Sequence, residues 1–116
     1  MEATFRESIE NVFASLSPEE KIAIISHGIA LHLSALKKRL FLAQAKVRQF
    51  EEKYRITLAK LDTQGLPDDA NYQMHEDYLM WHHWTDTAEK LKGQIDLLQA
   101  IAAQGLHNGE ALHVSD

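Results

Sequence analysis

From Ile22 to Leu61 apolar residues recur three and four apart, the spacing that keeps one stripe of a helix turned toward a partner helix. With Leu40 at heptad position a, the a set is Ser26, Leu33, Leu40, Val47, Tyr54 and Leu61, and the d set is Ile22, Ile29, Leu36, Ala43, Phe50 and Thr57. Ten of these twelve are apolar, which favours helix over strand. A helix over about residues 18–62 would reach roughly 66 Å if unbroken. Gln64-Gly65-Leu66-Pro67-Asp68-Asp69 then reads as a turn, because Gly and Pro together interrupt a helix and the acidic pair suits the start of the next. A second helix is predicted over about 71–104, with Met74, Trp81, Ala88, Ile95 and Ala102 at a, and Asp77, Trp84, Leu91 and Leu98 at d; eight of the nine are apolar.

Two capping boxes, Thr4 with Glu7 and Ser17 with Glu20, divide the N-terminal third, and Pro18 stands at the favoured first helical position. They predict a short amphipathic helix over about 5–15, carrying Phe5, Ile9, Val12 and Phe13, before the long one. Gly105 followed by Leu106 resembles a helix stop, and residues 105–116 are expected to form a flexible C-terminal tail.

A short connection makes the long helices antiparallel neighbours. Folding at Gly65–Pro67 sets Trp84 opposite Phe50, Ala88 opposite Val47, Leu91 opposite Ala43 and Ile95 beside Leu40, so large residues meet small ones. The expected fold is therefore all-α: a long antiparallel helical hairpin, coiled-coil-like, preceded by a short N-terminal helix, as a single domain over 1–104. Ile24, Ile25 and Leu31 lie off the a/d seam, and one partner helix cannot cover them all. A homodimer through residues 22–36 is expected, with Ile24, Ile25, Ile29 and Leu31 at its interface.

Composition narrows the function classes. The chain has 116 residues, 45% apolar and 25% charged, the size and balance of one globular domain. With no cysteine it has no disulfide, no thiolate nucleophile and no cysteine-based metal site. No basic segment followed by an apolar run opens the sequence, so a cytoplasmic protein is expected. Residues 22–36 lack charged side chains but include Ser26, His27, Gly28, His32 and Ser34, and read as a buried helix segment rather than a membrane span.

Charge is unevenly placed. Residues 37–60 hold eight of the twelve basic residues, and residues 62–116 hold ten of the seventeen acidic ones. Arg39, Lys46, Lys53 and Lys60 fall at successive g positions, and the g residues expected to face them, Met80, Thr87 and Gln94, are not acidic. The row is expected to be unpaired within the hairpin. It is either a solvated face whose aliphatic stems cover the seam, or the docking surface of an acidic protein partner, or a nucleic-acid contact, which the net charge of −5 disfavours.

The remaining chemistry is sparse. His75, His82, His83 and Asp86 cluster in sequence, and His82 and Asp86 have the four-residue spacing of shared metal ligands. Neither H-E-x-x-H nor the Glu-x-x-His pairs of di-iron bundles is present, so no metal or cofactor is expected. Asp77, at a core position, could be an acid of raised pKa, but a carboxylate serving the helix dipole and nearby amides is the reading preferred. His27 and His32 could act as a pH switch at a subunit interface, though satisfied interface histidines are preferred. Trp81 and Trp84 are read as an aromatic core facing Tyr54 and Phe50 rather than a base-stacking platform. No paired acid/base constellation, nucleophile elbow or phosphate loop occurs, and an enzyme is not expected.

Ser17-Pro18-Glu19-Glu20-Lys21, Phe50-Glu51-Glu52-Lys53-Tyr54, Leu66-Pro67-Asp68-Asp69-Ala70, His75-Glu76-Asp77-Tyr78 and Trp81 occur in an order that resembles a family of small helical bacterial and archaeal proteins, often encoded beside a small toxin and treated as antitoxins. The resemblance spans residues 17–100, and its motifs are structural rather than catalytic. It implies a non-enzymatic antitoxin that neutralises a small toxin through a helical surface. Members place Gly directly after F-x-x-K-Y, where this chain has Arg55; either the helix continues, or it breaks and Thr57 caps a short new one. The alternatives are a scaffolding helical adaptor that forms a homodimeric bundle and a nucleic-acid binder using the basic helix.

Overall fold

The structure, a computed structural model, describes the backbone of residues 2–114 and the side chains of residues 4–104. The described chain is all helical: α1 (Glu2–Ser15), α2 (Pro18–Tyr54), α3 (Leu58–Gln64) and α4 (Tyr72–Val114). Ser17 opens α2 as its spacing predicts, its hydroxyl accepting from Glu20 N–H at 3.1 Å. Thr4, by contrast, lies inside α1 and does not cap it. The backbone of α4 runs on through Gly105, where a helix stop is expected, to Val114; the side chains of the expected tail, 105–116, lie outside those described.

The long first helix is broken. Arg55 adopts a left-handed backbone, φ 57°, a region that favours Gly. Its N–H still closes the last turn of α2 on Glu51 O at 2.7 Å. Thr57 then caps α3, its hydroxyl accepting from Lys60 N–H at 3.2 Å, so it leaves the d position assigned to it. The break turns Leu58 and Leu61 inward together, and both are buried. Gly65, at φ 79°, ends α3. Asn71, rather than Asp68 or Asp69, caps α4, with its side-chain oxygen 2.9 Å from Met74 N.

Packing divides the chain into two units, Ser34–Leu97 and Met1–Leu33 with Leu98–Asp116. Within Ser34–Leu97 the end of α2, then α3, folds back against the start of α4 as an antiparallel hairpin. Its core is Leu36, Ala43, Leu58, Leu61, Trp81, Ala88, Leu91 and Ile95, and every one except Leu58 is an a or d residue. Trp81 is fully buried. It stacks on Phe50 (ring centres 5.8 Å apart) and on Tyr54 (6.0 Å), with Val47, Ile56, Leu66 and Tyr78 packed around the Leu58, Leu61 and Trp81 cluster. Phe50 thus meets Trp81, whereas Trp84 is half-buried and edge-on to His83.

In the other unit, Phe13, Leu16, Ile22, Ile29, Leu33, Leu98 and Ala102 are half-buried, and none of the described apolar side chains is fully buried.

Candidate functional site

An acid at a d position of an otherwise apolar seam needs a partner, and Asp77 has three. Its carboxylate accepts from Lys53 Nζ at 2.6 Å, Tyr54 Oη at 2.5 Å and Gln73 Nε2 at 2.8 Å. Only 7% of Asp77 is exposed. Burial by itself would push the carboxyl up, but the hydrogen bonds from Lys53, Tyr54 and Gln73 outweigh it and hold the group below the usual Asp range. The Asp77 hydrogen bond raises Lys53, and burial followed by the same carboxylate raises Tyr54. Asp77 is therefore neither an acid of raised pKa nor a cap for first-turn amides. It ties α4 to the end of α2, directly beside Trp81.

This arrangement also corrects the basic row. A lysine at g can reach a d residue of the facing helix as well as a g residue, and Lys53 does so. Arg39 and Lys60 remain exposed and Lys46 is half-buried. Lys53 and Tyr54 come from the F-x-x-K-Y element and Asp77 from H-E-D-Y, so these two motifs meet in space. The signal in the sequence was the acid at d, which required a cation within one helical turn of the seam.

A second polar group joins α3 to α4: Asp62 accepts from Tyr78 Oη at 2.5 Å and lies 2.7 Å from His82 Nε2. Hydrogen bonds from Tyr78 and His82 hold Asp62 below its ordinary value, and the carboxylate in turn raises Tyr78. His82 therefore faces α3, while His83 meets Trp84 edge-on and His75 is exposed. Among the described residues no three His, Asp or Glu side chains converge as metal ligands. An open groove of about 320 Å³ runs between α2 and α4, lined by Gln44, Val47, Arg48, Thr85, Ala88, Glu89 and Lys92. Val47 and Ala88, expected to be opposite, both line it.

The unclaimed surface is apolar. Ile24, Ile25 and Leu31 are exposed, whereas Ile29 is half-buried on the d side. In the hairpin unit Phe41, Leu42, Leu79, Met80 and Leu97 are exposed, with the Arg48 guanidinium 6.0 Å from the centre of the Phe41 ring. Among the described residues no helix is long and apolar enough to cross a membrane. Comparisons of the chain with family models, with curated proteins and with solved structures return no match.

Proposed function

We propose that the chain is a non-enzymatic protein-binding module, antitoxin-like in action, that neutralises a small partner protein by covering it with a helical surface. The observation that carries this reading is the surface of the hairpin unit. That unit already has a closed core, yet Phe41 is 69% exposed and Leu42, Leu79, Met80 and Leu97 stand exposed with it. Large apolar side chains left outside a closed core are candidate points of contact for another protein. Arg39, two residues from Phe41, and Lys60 on α3 add exposed positive charge to the unit, which suits an acidic partner. The Asp77 and Asp62 groups are consumed in joining helices, so the polar chemistry of the unit serves the scaffold.

The test is co-expression with the small protein encoded beside this chain. Restored growth and a co-purifying complex are expected; no rescue and no complex would refute the proposal. Reversing charge at the exposed sites, Arg39→Glu with Lys60→Glu, should weaken the complex at least about tenfold, about 1.4 kcal/mol, with the helical circular dichroism unchanged.

A further inference from the structure

Residues at position a meet in a regular step along the hairpin: Val47 and Ala88 line one groove, and Tyr54 stacks on Trp81. Each advance of one heptad along α2 is matched by a retreat of one heptad along α4. The next step would set Leu61 against Met74, both a residues. Residues 65–71 are long enough to join a helix ending at Gln64 to one starting at Tyr72 in that register. The structure departs from this step. Leu61 joins Leu58 on Trp81, a full heptad from Met74, and Met74 is half-buried. Asp62 is bonded to Tyr78 and His82, so α3 has folded back over the turns of α4 on which Phe50 and Tyr54 also stack.

We propose that α3 is a hinged cover on Trp81 with two seats: the closed seat of this structure, and an open seat in which α2 runs unbroken to Gln64 and Leu61 packs on Met74. The hinge is Arg55, whose φ of 57° strains a residue that carries a side chain; the open seat releases it. Gly65, at φ 79°, is a second pivot at the far end of α3. In the closed seat Trp81 Nε1 is buried with no acceptor. The open seat moves Ile56 and Leu58 off the seam and gives up the Thr57 cap and both Asp62 hydrogen bonds, so the closed seat is the resting one. Opening bares the face of Trp81 that Leu58 and Leu61 cover, while Phe50 and Tyr54 stay stacked on the ring. Two packings of one sequence that exchange so few contacts form a two-state element. The inference lies wholly within the hairpin unit and does not depend on the partner proposed above.

The chain has no cysteine, so nitroxides on Gln49→Cys and Gln64→Cys report the seat by pulsed electron resonance. An unbroken helix sets these backbone positions roughly 22 Å apart, and the fold-back sets them closer. Leu58→Glu places a carboxylate in the closed core but on the flank of the open seam. It should move the labels to the longer distance with helical circular dichroism undiminished. Adding Arg55→Gly relieves the closed seat and puts glycine inside the open helix, which should lower the ratio of open to closed at least about fivefold. A distance that Leu58→Glu leaves unchanged, or a broad distribution with lost helicity, overturns the proposal. A second measurement keeps the closed core: Leu58→Cys, alone in the chain, should react with a thiol reagent in dilute urea at a rate that Arg55→Gly slows at least about fivefold. A rate that tracks global unfolding across urea concentrations, or that Arg55→Gly leaves alone, overturns it as well.

Discussion

Asp77 concentrates the residue-scale energetics of this protein. A buried carboxylate without partners is costly, and here Lys53, Tyr54 and Gln73 all donate to it. Because the Lys53 side chain is 52% exposed, solvent screens its share of the ion pair. Asp77→Ala should therefore cost about 1–3 kcal/mol, the range for losing hydrogen bonds to a charged group, measured by urea denaturation. The sign of the pH dependence follows from the shift. Asp77 is lowered in the fold, so its contribution is complete above the unfolded value of about 3.9 and is lost as pH falls through the lower folded value. Asp62 acts in the same direction. Thermal unfolding followed downward from about pH 5 should show a falling Tm, and Asp77→Asn should flatten that acid limb. Tyr54 and Lys53 are raised, so their contributions hold below about pH 10 and fade above it.

At the scale of elements, the break between α2 and α3 decides how the core closes near the turn. A straight continuation would place Leu58 one position off the seam, whereas a restart at Thr57 brings Leu58 and Leu61 to one face against Trp81. The device costs strain, because a side-chain-bearing residue in the left-handed region is unfavourable by about 1–2 kcal/mol relative to glycine's tolerance of it. Arg55→Gly should accordingly stabilise the protein by about 1 kcal/mol, offset in part by the looser unfolded chain, and raise Tm by about 4 °C. Thr57→Ala should lower stability by about 1 kcal/mol through loss of the cap. Differential scanning calorimetry of the two variants would read opposite signs, and equal signs would contradict this account of the break.

For the whole molecule, the contrast between the two units matters most. Ser34–Leu97 buries a tryptophan among leucines, while none of the described apolar side chains of the other unit is fully buried. Opening free energies should follow burial. Hydrogen exchange should show strongest protection in residues 36–50 and 77–95 and weaker protection in α1. Uniform protection along the whole of α2 would count against this contrast.

Much of the fold was legible in the chain because helical periodicity is a local property. The a and d assignments name seven of the eight buried apolar residues, and Ser17 and Gly65 mark a helix start and a helix end with their own side-chain and backbone chemistry. The heptad rhythm runs through Arg55 and left two alternatives open there, a continuous helix or a break capped by Thr57; the structure has the break, and the Thr57 cap and the inward packing of Leu58 and Leu61 hold that backbone in place. Nor could spacing tell that Lys53 reaches across the seam to Asp77, or that Phe50 meets Trp81 and leaves Trp84 half-covered. By itself the sequence determined which face of each helix is apolar, because that depends on residue type and 3.6-residue geometry alone. Which side chains meet, and which cation meets the buried carboxylate, depends on register and on the angle set at one residue, and only the tertiary structure decided those.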